Sequence, residues 1–311
     1  MPDVKIGFLL WPQTDSWPSL RDAAVRAERA GAASLWTWDH LMSIVGPWQG
    51  PILEGWMVLA GWAEVTERAT LGLMVGANTF RNPGLTAKLA ITLDHQSNGR
   101  AILGIGGAWF EREHDAYGID FGSGFGERLD RLDESVRTIR RLLDGERFDH
   151  DGPIYPMHDA LAAPRPVQAH LPIMIGGSGE RKTLHTVAKY ADGWNTGGDI
   201  DTVRHKDEVL RRWCDEVGHD HTEIERTVQG GVPIIRDTED EARKVAAEMK
   251  ERNKDWRGPQ DGPFGPPELV AERWRPYLEL GFEHVYVDCP APFDHETLER
   301  LAKEVRPMLS S

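Results

Sequence analysis

Short continuous apolar runs alternate along the chain with longer stretches in which apolar positions recur at helical spacing. The short runs predict strands that are buried on both faces, and the longer stretches predict amphipathic helices. Eight strands are predicted, at residues 5–11, 34–39, 70–79, 100–106, 173–175, 193–196, 227–235 and 284–288. Nine helices are predicted, at residues 18–31, 54–67, 84–97, 126–143, 180–191, 201–217, 238–254, 267–280 and 294–306.

This order of elements predicts an α/β fold, a (β/α)8 TIM barrel, because eight parallel strands with intervening helices are its defining content. A doubly wound sheet is the alternative, but it seldom uses eight evenly spaced units. Residues 145–172 interrupt the alternation of strands and helices, and they predict a hairpin insertion around the fifth strand. Residues 255–267, rich in Gly and Pro, predict a mobile loop. Neither segment is long enough to be a domain, so we expect residues 1–311 to form one domain.

Composition narrows the classes of partner. With 36 basic and 50 acidic side chains the formal charge is −14, which argues against nucleic acid and against an anionic membrane surface. No apolar stretch approaches the 18 residues of a membrane span, and the apolar run near the N-terminus is too short for a signal peptide. We therefore expect a cytoplasmic protein. Two cysteines exclude a disulfide scaffold and a Cys-rich zinc module.

Aromatic and glycine residues are concentrated where the predicted strands end. In barrel enzymes the carboxyl ends of the strands carry the chemistry. Aromatic planes, together with glycines that permit close backbone approach, suit a flat conjugated ligand. The tryptophans that could line such a ligand are Trp11, Trp38, Trp109 and Trp194. A metal site is not predicted, because neither HExxH nor a paired-histidine spacing occurs.

The glycine-rich turn after the fifth strand is a candidate phosphate site. Gly177, Ser178 and Gly179 precede a predicted helix whose first turn would hold Arg181 and Lys182. Backbone N–H groups at a helix start favour an anion. The segment is not a P-loop, because Arg181 stands where that motif requires glycine. An ordinary glycine-rich turn remains the alternative.

The sharpest titratable pair is Asp39 and His40, at the end of the second strand. A carboxylate beside an imidazole can exchange a proton near neutral pH. The alternative is a structural pair, in which Asp39 caps the following segment. The charged run from Glu111 to Asp115 is expected to be solvated.

Several segments together resemble the bacterial luciferase-like monooxygenase family, in its coenzyme F420-dependent branch. The resemblance extends over nearly the whole chain in order and thins after about residue 200. Its main segments are residues 6–7, 36–40, 79–83, 93–100, 103–113, 126–129, 164–168, 175–177 and 191–195.

The resemblance implies a barrel with an insertion near the fifth strand and an isoalloxazine or deazaflavin ring across its carboxyl-end mouth. It implies a non-prolyl cis peptide near Met74–Val75 behind the ring, and His40 at the reactive face as proton donor or relay, oriented by Asp39. It also implies a phosphate held by Gly177, Ser178 and Gly179. The other cofactor-binding residues expected are Asn78, Gly106, Gly107, Ala108, Trp109 and Trp194.

The expected function is hydride transfer between C5 of coenzyme F420 and a small organic substrate. One alternative is an FMN-dependent monooxygenase that takes reduced flavin from a partner reductase and uses O₂. Another is a non-catalytic flavin- or F420-binding protein. Family members often form homodimers. Some F420 dehydrogenases place a catalytic glutamate shortly after the strand-four glycines, whereas this chain has Trp109 there and Glu111 as its nearest carboxylate.

Overall fold

The computed structural model describes residues 4–253 and 262–310. Its strands are β1 (Lys5–Leu10), β2 (Ser34–Thr37), β3 (Thr70–Leu73), β4 (Gly76–Ala77), β5 (Leu103–Gly106), β6 (Phe148–His150), β7 (Met157–Ala160), β8 (Ile173–Gly176), β9 (Gly193–Thr196), β10 (Glu225–Gln229), β11 (Ile234–Ile235), β12 (Phe264–Gly265) and β13 (His284–Cys289). Its α-helices are α1 (Trp17–Ala30), α2 (Gly55–Ala63), α3 (Pro83–Gln96), α4 (Glu111–Tyr117), α5 (Phe125–Leu143), α6 (Thr183–Tyr190), α7 (Ile200–Val217), α8 (Glu239–Arg252), α9 (Pro267–Glu279), α10 (His295–Arg300) and α11 (Arg306–Ser310).

The main sheet has nine strands in the order β3-β2-β1-β13-β10-β9-β8-β5-β4. Its two terminal members, β3 and β4, are consecutive in the chain and are separated only by Met74 and Val75. They are therefore two parts of one interrupted strand, and the barrel has the eight strands that the sequence pattern predicts. The predicted TIM barrel is confirmed.

The barrel strands pair in parallel, and most of them are buried along most of their length. In β1 every residue after Lys5 is buried, as expected for a parallel strand covered on both faces. The register aligns Gly7 of β1 with Tyr286 of β13 on one side and with Ser34 of β2 on the other. This alignment fixes which side chains share a face of the sheet.

Contacts within the chain are densest in two compact units. The first unit comprises Met1–Leu71, Gly197–Ile200 and Arg226–Ser311, and the second comprises Gly72–Thr196 and Asp201–Glu225. The expectation of one domain over the whole chain stays a prediction.

The insertion before the fifth barrel strand is confirmed as an antiparallel hairpin of β6 and β7. Glu134 of α5 holds the hairpin, because its Oε1 accepts hydrogen bonds from the backbone N–H groups of Ile154 and Tyr155 and lies 3.0 Å from His150 Nε2. The predicted loop at 255–267 falls largely outside the described residues. Its last part, from residue 262, contains β12 and the start of α9.

Several predicted boundaries are wrong for identifiable reasons. The predicted strand 227–235 is two strands, β10 and β11, because the chain turns through Gly231 at φ +75°. The helix predicted to reach residue 67 ends at Ala63. Beyond it, the carboxylate of Glu28 accepts the backbone N–H groups of residues 67, 68 and 69, which takes them out of helical bonding.

Candidate active site

The residues after β2 form an aromatic and titratable group in the first unit. Asp39 is buried, with 2% of its surface exposed, and His40 is partly exposed. The Trp38 ring stands edge-on to the His40 ring, with centroids 6.5 Å apart. Trp38 also lies against Trp11, whose ring centroid is 4.6 Å away. The predicted pair Asp39–His40 therefore follows a strand end, and its histidine lies near Trp38, which in turn packs against Trp11.

A second carboxyl group, Asp288, belongs to the same group and was not predicted. Asp288 lies at the end of β13, and its Oδ1 accepts a hydrogen bond of 3.0 Å from Trp11 Nε1. Removal from water raises the pKa of Asp288 to about 6, although the indole hydrogen bond opposes this. A carboxyl group of this kind changes charge close to neutral pH.

In the second unit, Met74 and Val75 interrupt the third barrel strand. The peptide bond between them is cis, as the resemblance implies. The side chain of Val75 fills the space beside two neighbouring strands: a Cβ on Gly106 would lie 2.7 Å from Val75 Cγ2, and one on Gly176 would lie 2.8 Å from Val75 Cγ1. Glycine is required at both positions because Val75 occupies that space.

Asn78 follows this interruption and has an unsatisfied polar group. It is 4% exposed, and its Nδ2 has no hydrogen-bond partner among the described residues. Thr196, at the end of β9, is likewise 4% exposed and has an unpartnered Oγ1. A buried polar group without a partner costs about 1–3 kcal/mol. Each unpaired group of this kind calls for an explanation, and a bound ligand that supplies the missing partner is one.

The run from Glu111 to Asp115 is not uniformly solvated, which corrects that expectation. It forms α4, in which Glu113 is 1% and His114 0% exposed. His114 Nδ1 donates to the carbonyl oxygen of Phe110, and its Nε2 lies 2.6 Å from Thr79 Oγ1. The histidine thus fixes the segment that carries Asn78. Glu111 itself is exposed.

Gly107, directly after β5, is needed for packing as well as for the expected approach of a ligand. A Cβ on Gly107 would lie 2.8 Å from Leu129 Cδ2, so α5 itself requires glycine there. Ala108 has φ +60°, which is uncommon for a residue other than glycine. Trp109 is 63% exposed and lies against Phe110, with ring centroids 5.3 Å apart.

The turn after β8 differs from the predicted helix start. The helix α6 begins at Thr183, four residues beyond Gly179. Gly177 has φ +128°, and both its backbone groups are engaged: its N–H donates to the Asn195 carbonyl, and its carbonyl accepts from Trp194 Nε1. The N–H of Gly177 is therefore not available to a ligand, and the candidates in this turn are the backbone N–H groups of Ser178 and Gly179.

Two residues predicted near this turn have other contacts. Trp194 is fully buried, so it supports the turn through its indole N–H and has no exposed ring face. Lys182 Nζ donates to the Gly126 carbonyl and to Asp130 Oδ1 of α5. Arg181 is exposed.

Arg128 of α5 is a functional candidate that the strand-end reasoning missed. It is 8% exposed, and its guanidinium carbon lies 3.8 Å from the centroid of the Phe121 ring. Its Nε has no hydrogen-bond partner, and it forms no ion pair within residues 4–253 and 262–310. A buried cation without an anion is costly. The only signal in the sequence was its place in the segment 126–129 of the resemblance.

The described part of the chain carries neither a candidate metal site nor a candidate membrane span. No group of three or more His, Cys, Asp or Glu side chains could hold a metal ion there. Among the same residues, every helix is too short or too polar to cross a membrane.

A parallel barrel with chemistry-bearing residues after its strands defines a TIM-barrel enzyme. The model of the luciferase-like monooxygenase family matches residues 5–284, and the chain belongs to that family of oxidoreductases. Among curated relatives, it is 28% identical to an F420-dependent glucose-6-phosphate dehydrogenase of Amycolatopsis mediterranei, over 98% of both chains. It is 30% identical to the enzyme of the same name from Intrasporangium calvum, over 98% of this chain and 99% of that one.

A solved structure shares the fold over nearly the whole chain. It is the coenzyme F420-dependent tetrahydromethanopterin reductase of Methanopyrus kandleri, with a TM-score of 0.81 and 21% identity. The match covers 99% of this chain and 100% of that one.

Proposed function

We propose that this protein is an F420-dependent oxidoreductase acting on a small organic substrate. When bound, the deazaflavin would exchange a hydride with the substrate at its C5 atom. The observation that carries the choice of cofactor is the whole-length similarity to two relatives named as F420-dependent. The FMN-dependent monooxygenase is the alternative within the same family.

The residues of the second unit fit such a cofactor. Asn78, three positions after the cis peptide at Met74–Val75, offers a buried side-chain N–H₂ without a partner. Gly106 ends β5, and Gly107 and Ala108 follow it. We assign these residues to the ring and ribityl chain, with Trp109 as an exposed aromatic side chain beside them.

We assign the phosphate to the turn after β8 and to Arg128. Ser178 and Gly179 supply the turn, which Gly177 and Trp194 brace through the hydrogen bonds described above. Arg128 supplies a positive charge that has no anion of its own. In a chain of net charge −14, an anionic ligand needs such a local cation.

His40 is assigned the proton that accompanies the hydride. An imidazole nitrogen of His40 takes up or releases it, and buried Asp39 sets the orientation of the ring. Some F420 dehydrogenases carry a glutamate where this chain has Trp109, and the nearest carboxylate, Glu111, is exposed. We therefore do not extend the sugar-phosphate substrate of the named relatives to this chain.

The test is a fluorescence titration of the purified protein with F420 and with FMN. We expect micromolar binding of F420 and weaker binding of FMN. Absence of F420 binding at these concentrations would refute the proposal. Protein-dependent oxygenation of a substrate with reduced FMN, beyond the spontaneous oxidation of the free flavin, would establish the alternative.

The proton role is tested by His40→Asn, with His95→Asn as the control. His95 is exposed and its Nε2 lies 2.8 Å from the Arg165 carbonyl oxygen. His40→Asn should leave F420 affinity nearly unchanged and slow turnover about 100-fold. An equal loss of affinity and turnover would make His40 a structural residue.

The phosphate assignment is tested by Arg128→Met, with Arg131→Met as the control. Arg131 already pairs with Asp120 and Glu127. Arg128→Met should weaken F420 about tenfold or more but leave a phosphate-free deazaflavin unaffected. Equal weakening of both ligands would contradict the assignment.

A further inference from the structure

Four side chains of the first unit form a continuous line of contacts that ends at His40. Asp288 Oδ1 lies 3.0 Å from Trp11 Nε1. The Trp11 and Trp38 rings are 4.6 Å apart at 34°. Trp38 and His40 are 6.5 Å apart at 81°. The line therefore begins on β13, passes the end of β1 and finishes after β2.

Both the backbone and the side chain of Trp11 are held by β13. Its backbone N–H donates to the Cys289 carbonyl, and its indole N–H donates to Asp288. The register pairs Leu9 with Asp288, so the carboxyl group and Trp11 lie on the same face of the sheet. The hydrogen bond to Asp288 thus restrains the orientation of the Trp11 ring.

A carboxyl group is a destabilising choice of hydrogen-bond acceptor for the Trp11 indole. Trp11 is the only hydrogen-bond partner of the Asp288 side chain among the described residues, and no cation within them pairs with it. Burial raises the pKa of Asp288 to about 6. Asp288 is half-buried, and a carboxylate partly removed from water without a counter-ion lowers stability, so packing alone does not account for aspartate at this position.

We propose that Asp288 is a positioning residue, which holds the Trp11 and Trp38 rings and through them the environment of His40. The catalytic consequence rests on the proposed function. The structural part does not, because it concerns only the orientation of two rings.

The structural part is tested by circular dichroism without any cofactor. Two indoles 4.6 Å apart couple their transitions and give a couplet in the far-ultraviolet spectrum. Asp288→Leu removes the acceptor at similar volume and should abolish most of the couplet, as Trp11→Phe does. Asp288→Asn keeps an acceptor oxygen and should retain it. Trp213→Phe, whose ring lies against His185, is the control and should leave it unchanged.

If Asp288→Leu does not fold, Asp288→Ala removes the same acceptor with less steric demand and must give the same loss. An unchanged couplet in the folded Leu or Ala variant overturns the proposal. So does a couplet that is lost in the Asn variant and kept in the Leu variant.

The catalytic part is tested by a double-mutant cycle. Asp288→Leu and Trp11→Phe should each lower kcat about 10- to 100-fold while KM changes less than threefold. The double variant should be no slower than the slower single variant, because both changes break one unit. Asp288→Asn should restore most of kcat. Multiplicative losses, or no loss, overturn the catalytic part.

The two proposals fail in different ways. If wild-type protein neither binds nor turns over F420, the proposed function fails, and the couplet still decides the role of Asp288. If wild type is active and Asp288→Leu keeps both couplet and kcat, the role of Asp288 alone is refuted.

Discussion

Two sets of buried polar groups, one near the amino ends of the strands and one near the carboxyl ends, differ in whether the protein itself supplies their hydrogen-bond partners. At the start of β2 and β13, Trp36 Nε1 donates to Ser34 Oγ, which lies 3.0 Å from His284 Nε2, while Tyr286 stacks on His284. We call these four residues the amino-end network. After the carboxyl ends of β4 and β9, Asn78 and Thr196 are buried with unpartnered polar atoms.

From this difference we infer that the amino-end network serves stability, whereas the unpaired groups at the carboxyl ends serve function. The amino-end network completes its own hydrogen bonds, so its members stabilise the fold and need no ligand. The unpaired groups of Asn78 and Thr196 lower stability as they stand, and we propose that a ligand supplies the partner of Asn78. Barrel folds in general divide their two ends in this way.

The largest effect on stability is expected from Ser34→Ala. It leaves Trp36 Nε1 and His284 Nε2 without their shared partner and should lower the free energy of unfolding by about 2–5 kcal/mol. Urea denaturation measures this. Ser19→Ala, which removes a hydroxyl group nearer the surface, is the control and should cost less than about 1 kcal/mol. Equal losses would show that the network does not act as a unit.

Glu28→Gln tests a second set of buried hydrogen bonds near an amino end. The Glu28 carboxylate, from α1, binds the backbone just before β3. Burial raises the pKa of Glu28, but hydrogen bonds from the backbone N–H groups of residues 69, 68 and 67 outweigh it and leave the pKa below its usual value. The stabilisation is therefore present above the usual pKa of 4.5 and is lost as the pH falls through the lowered folded-state value. We expect a loss of about 1–3 kcal/mol at pH 7.

The loss in Glu28→Gln should shrink as the pH is lowered, because the carboxyl group of the wild type is then protonated too. Glu67→Gln, at an exposed side chain, is the control. A loss that does not change between pH 7 and pH 3 would contradict the assignment.

Asn78→Leu should weaken ligand binding without lowering stability. Removing a buried, unpartnered amide should leave unfolding unchanged or raise its free energy by about 1 kcal/mol, while F420 binding weakens about tenfold or more. Asn253→Leu is the matched control. Its Nδ2 donates to the Met249 and Ala291 carbonyls, so replacing this buried asparagine should lower the free energy of unfolding.

Thr196→Val should have the smallest effect. It replaces an unpartnered hydroxyl group by a methyl group of similar size and should raise stability by less than about 1 kcal/mol. Thr138→Val is the control, because Thr138 Oγ1 donates to the Glu134 carbonyl at 2.7 Å, and should be destabilising. Destabilisation of similar size in both variants would mean that Thr196 has an internal partner.

Local patterns predict the fold and the residues at strand ends well. The eight barrel strands follow from short apolar runs, and the hairpin before β8 follows from the turn-rich segment. The cis peptide at Met74–Val75 was implied by family resemblance and could not be read from local pattern.

The properties that depend on distant contacts could not be predicted. The second helix ends earlier than predicted. The Glu28 carboxylate, about 40 positions away in the chain, accepts the backbone N–H groups of residues 68 and 69. Burial of His114 depends on Phe121 and Thr79, whose approach a charged run does not signal. The need for glycine at position 107 comes from Leu129. Likewise, the missing partners of Asn78 and Arg128 are visible only once the surrounding chain is in place.

The most direct test of the account compares F420 affinity and unfolding in two variants, Asn78→Leu and Ser34→Ala, with wild type as reference. The account predicts that wild type binds F420 in the micromolar range, that Asn78→Leu binds weakly without loss of stability, and that Ser34→Ala binds normally but unfolds more easily. Wild type that does not bind F420, or Asn78→Leu with unchanged affinity, would contradict it.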